Sequence, residues 1–102
     1  MRFLTVVFLM LAFKSLSQET INAMTFNIRY ATSADGVNQW NNRKDFVAQT
    51  IRFYEADLCG MQEALYSQIT DLEERLTEYG WVGVGRDDGD KKGEFSPIFY
   101  LK

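Results

Sequence analysis

From Ile21 to Tyr30 apolar and polar positions alternate: Met24, Phe26, Ile28 and Tyr30 against Thr25, Asn27 and Arg29. A period of two over this length predicts a strand. Ala31 to Asn42 is polar and predicts a loop with a turn at Asp35-Gly36, and Asn41 or Asn42 is suited to cap the element that follows. From Arg43 to Glu55 the side chains of Phe46, Val47, Ile51 and Tyr54 share one helical face. Asp57 to Met61, a short apolar run, predicts a second strand. Leu65, Ile69, Leu72, Leu76 and Tyr79 then repeat at helical spacing with charged residues between them, and Gly80 is a suitable terminator. Trp81 to Gly85 predicts a third strand, Arg86 to Ser96 a charged loop, and Pro97 to Leu101 a fourth strand. This order of strands and helices belongs to the α/β class. Helical connections of this length favour right-handed parallel crossovers, and the last two strands suit antiparallel pairing.

The first 17 residues follow a different pattern. Arg2 precedes a nearly unbroken apolar run from Phe3 to Phe13, and Ser15-Leu16-Ser17 supplies small residues after it. This is the layout of a secretory signal peptide cleaved after Ser17, and it predicts a secreted or periplasmic protein. The run is shorter than the roughly 20 residues that span a bilayer, so no stable membrane anchor is expected. Residues 18–102 then make one small domain at most. With 11 basic and 14 acidic residues the chain carries a net charge of −3. That balance excludes non-specific nucleic-acid binding, which depends on basic side chains neutralising phosphates. Cys59 is the only cysteine, so no internal disulfide forms, and its apolar surroundings predict a small core residue.

The first two strands each lead into a polar side chain, Asn27 and Glu63. If these strands are parallel neighbours, an amide and a carboxylate emerge at the same sheet edge, where a metal and a phosphate can be held. Each residue alone also fits a plainer role: Asn27 as a strand-end amide bonded to backbone, Glu63 as a solvated carboxylate. Arg86 suits a phosphate, because guanidinium matches phosphate oxygens bidentately, and equally suits a charged surface loop. Asp87, Asp88 and Asp90 lack the alternation and final glutamate of an EF-hand and read as a solvated loop. Trp40 and Arg43 are suited to frame the mouth of a pocket, and Trp40 equally suits packing where the loop meets the helix.

Four segments together resemble the endonuclease/exonuclease/phosphatase (DNase I-like) superfamily. They are Met24-Thr25-Phe26-Asn27-Ile28-Arg29-Tyr30, then Trp40-Asn41-Asn42-Arg43, then Asp57-Leu58-Cys59-Gly60-Met61-Gln62-Glu63, and last Gly85-Arg86-Asp87-Asp88-Gly89 running into Ser96-Pro97-Ile98-Phe99-Tyr100. The chain is most similar to the amino-terminal part of secreted bacterial members. The resemblance implies a partial four-layered α/β sandwich, its first half only. It implies divalent-metal-dependent hydrolysis of phosphomonoesters or phosphodiesters, with Mg2+ or Mn2+ as cofactor. Glu63 is then a metal ligand, and Asn27 a catalytic residue that helps to hold metal and phosphate. Arg86, Trp40 and Arg43 are candidate substrate contacts. Nucleic acid, inositol phosphate, phospholipid head group and sugar phosphate all remain open as substrate classes.

The family also uses histidines, and this chain has none, so a general base near neutral pH is missing. The isolated chain is expected to turn over little substrate and to read as the front part of something larger. Its apolar final strand is expected to be an exposed edge open to association. The alternative is a non-catalytic secreted module that uses the half-sandwich as a binding surface.

Overall fold

A computed structural model describes residues 18–102, and the signal-peptide expectation for residues 1–17 lies outside the described residues. Strand β1 (Ala23–Asn27) leads through a 3-10 segment (Ser33–Asn38) to helix α1 (Trp40–Phe53). Strand β2 (Leu58–Gln62), helix α2 (Tyr66–Arg75), strand β3 (Tyr79–Val82) and strand β4 (Ile98–Leu101) follow. The four strands form one sheet in the order β1-β2-β4-β3. β1 and β2 are parallel, with Met24 beside Cys59, Phe26 beside Met61 and Asn27 beside Gln62. β4 is antiparallel to both of its neighbours.

Burial alternates along the strands, and this decides which face is covered. Cys59, Met61 and Phe99 on the sheet are buried together with Val47, Ala48 and Ile51 of α1 and Ile69 and Leu72 of α2. Each fully buried aliphatic side chain of this kind contributes about 1.5–3 kcal/mol. Among the described residues the other face of the sheet carries no helix, and Leu58, Val82, Ile98 and Tyr100 are exposed on it. The result is a partial DNase I-like α/β arrangement: one sheet with two helices on one side.

Several local expectations need correction. The final strand is not an edge: β4 lies between β2 and β3, so its backbone is paired on both sides and only its open face is exposed. Helix α1 starts three residues earlier than expected, with Gln39 at its cap position and no side-chain capping bond. Asn42 is inside the helix and donates to the Val37 carbonyl at 3.1 Å. The buried stripe of α1 is Trp40, Val47, Ala48 and Ile51, whereas Phe46 and Tyr54 are 70% and 62% exposed. Helix α2 ends at Arg75, and Tyr79 and Gly80 belong to β3. Leu76 leaves helical geometry at φ −107°, ψ 61°. Gly80 therefore serves a close approach between strands: it lies beside Tyr100, whose ring occupies the space a Cβ would take.

Burial pushes the Cys59 thiol up to about 11. The thiolate is the reactive form, so a thiol reagent at pH 8 should leave Cys59 unmodified in the folded chain and label it in urea. Deleting the Phe99 side chain should cost about 3–5 kcal/mol, because it is fully enclosed by sheet and helices. Val37→Ser, at a position 84% exposed, should stay within about 0.5 kcal/mol. Urea unfolding of the two variants measures the contrast.

Candidate metal and phosphate site at the sheet edge

Because β1 and β2 run parallel and in register, their ends reach the same edge of the sheet. Asn27 is the last residue of β1, and Glu63 follows the last residue of β2. Their side chains meet: the Asn27 amide Nδ2 donates to Glu63 Oε2 in a short hydrogen bond. The Asn27 carbonyl Oδ1 accepts from the Arg29 backbone N–H at 3.0 Å. Just behind them, Gln62 Nε2 donates to Thr25 Oγ1 at 3.2 Å, a second cross-strand tie on the open face.

Both chains leave their strands through strained backbone. Arg29 has φ 61° and Glu63 φ 62°, left-handed conformations that favour glycine. Each costs on the order of 1–3 kcal/mol and persists only when the surroundings hold it. Arg29 is held through its guanidinium, which donates to Asp35 at 3.2 and 3.1 Å and lies over the Tyr30 ring. Those bonds hold the Asp35 carboxyl below its ordinary range. Glu63 is held by its neighbour: Ala64 and Phe95 exchange two backbone hydrogen bonds at 3.3 and 2.6 Å.

That exchange also draws the 86–96 loop over the carboxylate. A cleft of about 390 Å³ results, with Glu63, Val84, Arg86, Glu94, Phe95 and Ser96 among its lining. Arg86 thus shares the cleft with Glu63, and its side chain is 72% exposed. It is 3.4 Å from Glu94 and 3.8 Å from Asp87, so acidic neighbours already offset its charge. In the same loop, Asp88 Oδ1 accepts from the Asp90 and Lys92 backbone N–H groups. The loop closes on its own backbone, in keeping with the solvated reading of its aspartates.

Trp40 and Arg43 are not in the lining of this cleft; Trp40 lines a separate one with Thr32, Asn41 and Asp71. Trp40 is 4% exposed, and its indole N–H donates to Asp71 at 2.8 Å. Arg43 lies over the Trp40 ring and donates to the carbonyls of Asn38 and Ile28, at 2.6 and 3.0 Å. Together they brace the backbone next to Asn27 from the helix side. Sequence reasoning missed Gln68, the one buried polar residue among the described residues. A glutamine three residues past a helix cap position is half of a capping box, and the apolar Leu65 at that position hides the motif. No cluster of three or more histidine, cysteine, aspartate or glutamate side chains suited to a metal occurs among the described residues.

No family model matches the chain. Solved structures do. An endonuclease/exonuclease/phosphatase from Bacteroides vulgatus is 52% identical, with a TM-score of 0.75 over 76% of this chain and 30% of that one. A mannosyl-6-phosphatase from Bacteroides thetaiotaomicron is 36% identical, with a TM-score of 0.78 over 81% of this chain and 32% of that one. Among curated proteins, the Ccr4 3'-5'-exoribonuclease subunit of the CCR4-Not complex from Mycosarcoma maydis is 30% identical over 82% of this chain and 15% of its own length. The fold is thus that of a phosphoesterase family. The chain belongs to the endonuclease/exonuclease/phosphatase superfamily and spans about a third or less of these relatives.

The Arg29–Asp35 pair gives a direct check on how the β1 exit is held. Asp35 is depressed in the folded chain, so its contribution is complete above the ordinary aspartate range and is lost as pH falls through the folded value. In Arg29→Ala, an NMR titration should return Asp35 to the ordinary range.

Proposed function

We propose that this chain is part of a divalent-metal-dependent phosphoesterase, and that the β1–β2 edge is its contribution to the active site. The observation that carries this reading is the bond between Asn27 and Glu63, formed where two parallel strands end together. A hard cation such as Mg2+ or Mn2+ takes oxygen ligands, commonly one or two carboxylates with water and substrate phosphate. Glu63 fits as that carboxylate: Asn27 engages its Oε2 and fixes the direction of the group, and the cleft opens beside it. When bound, the ion would polarise a phosphoryl oxygen and offset its charge. Arg86 at the cleft wall is placed to meet a phosphate once it turns from Glu94.

Phosphate ester is the chemistry we assign to the substrate. The relatives include a sugar phosphatase and an exoribonuclease, and the ester is what those names share. The leader-like residues 1–17 support an exported protein. No helix among the described residues is long and apolar enough to cross a membrane. With no histidine, the chain lacks an ordinary general base, so hydrolysis by this segment alone should be negligible. The exposed sheet face of Leu58, Val82, Ile98 and Tyr100 favours a second reading, a binding module with no chemistry of its own.

A Mn2+ titration followed by water-proton relaxation separates the two. The wild-type chain should bind Mn2+ weakly, and Glu63→Ala should weaken binding at least tenfold without unfolding the chain. Equal binding by the variant, or fast Mg2+-dependent phosphodiester hydrolysis that survives Glu63→Ala, would overturn the assignment.

A further inference from the structure

Gln68 is in the first turn of α2 and is fully buried. Its amide is used entirely on backbone. Nε2 donates to the Arg29 carbonyl at 2.8 Å, while Oε1 accepts from the Ala31 N–H at 3.1 Å and from the Leu65 N–H at 2.9 Å. Arg29 is two residues beyond Asn27, and Leu65 is two residues beyond Glu63. One side chain therefore ties together the two segments that carry the two site residues. It grips them next to the two left-handed residues, Arg29 and Glu63.

A helix cap alone needs only the Leu65 bond. The bonds to Arg29 and Ala31 reach across 39 and 37 residues and do nothing for α2. An amide in an apolar interior is unfavourable unless its partners are supplied, and here both ends are supplied by the strand exits. Arg43 grips the same stretch from the other side, through the Ile28 carbonyl. The span from Ile28 to Ala31 is thus fixed from both helices, and Gln68 alone also reaches the exit from β2.

We infer that Gln68 is a positioning residue: by clamping both strand exits to one buried amide it sets the approach of Asn27 to Glu63. This rests on the reading of that pair as a cation site, but its geometric part can be measured without any cation. In the full 102-residue chain, Gln68→Met keeps the volume and removes all three bonds. Gln68→Glu keeps the two acceptor bonds and loses the donor to Arg29. Tyr79→Phe is the control, since it removes a buried hydrogen bond to the Ala56 carbonyl in an element remote from the pair.

The first readout is the Asn27 side-chain amide by 15N–1H NMR: the inequivalence of its two protons and their exchange with water. The second is Mn2+ affinity, where supporting residues of this kind are worth about 10–100-fold. Gln68→Met should speed Asn27 amide exchange at least tenfold and weaken Mn2+ binding by about tenfold or more. Gln68→Glu should do the same in part, and it carries the test if the methionine variant does not fold. Tyr79→Phe should change neither readout, even if it lowers the unfolding midpoint as much. An unchanged Asn27 amide in the folded Gln68 variants, or an equal change in Tyr79→Phe, would overturn the inference. If the wild-type chain binds no Mn2+ at millimolar concentration, the cation assignment fails, and the amide readout alone decides the role of Gln68.

Discussion

The parallel register of β1 on β2 is the constraint on which the rest depends. With Asn27 beside Gln62, the residue after β2 arrives within reach of the last side chain of β1. Side chains in a strand alternate, so a slip of one residue would turn Asn27 toward the helices and bring Phe26 or Met24 to the open face. The register is specified by burial: Met24 and Phe26 stand beside Cys59 and Met61 on the covered face, and that match allows one alignment. The polar pair is thus located by the apolar residues behind it.

Register alone brings the strands together, but not the side chains beyond them. Arg29 and Glu63 both take left-handed backbone, and neither is a glycine. Two unfavourable conformations at the ends of neighbouring strands require compensation nearby. It comes from three sources: the Arg29–Asp35 pair, the Ala64–Phe95 backbone exchange, and the buried amide of Gln68. The first two act on one exit each, and the third spans both. The cleft over Glu63 is a by-product of the second, because the Phe95 segment that steadies Ala64 also brings Arg86 and Glu94 alongside.

The elements that were legible in the sequence are those whose burial follows a simple period. β1 alternates cleanly and β2 is a bounded apolar run, and Asn27 and Glu63 stand where these strands end. What was not legible turned on partners distant in the chain. Gly80 resembles a helix stop until Tyr100 is known to cross it. Phe46 and Tyr54 share a face with Val47 and Ile51 only if the stripe is drawn wide; Trp40 and Ala48 shift its centre and leave both aromatics outside. Trp40 and Arg43 have Asp71 and the Ile28 carbonyl among their partners, neither of them legible from local sequence. The final strand looks like an edge because it comes last, whereas the sheet inserts it between β2 and β3.

The composition of the edge also limits what this segment can do. Mg2+ takes about six oxygen ligands, and its affinity rises with the negative charge around it. Asn27 and Glu63 bring one carboxylate and one amide, and Arg86 brings a positive charge that Glu94 and Asp87 already offset. On the proposed reading, the rest of a coordination shell would come from water, from a substrate phosphate or from further oxygen ligands. An oriented carboxylate beside an open cleft is therefore better suited to completing a site than to forming one. The chain matches about a third of each of these solved relatives. What the fold supplies here is direction: a single acid, aimed by a neighbouring amide, on backbone that the interior holds in a conformation it would not otherwise keep.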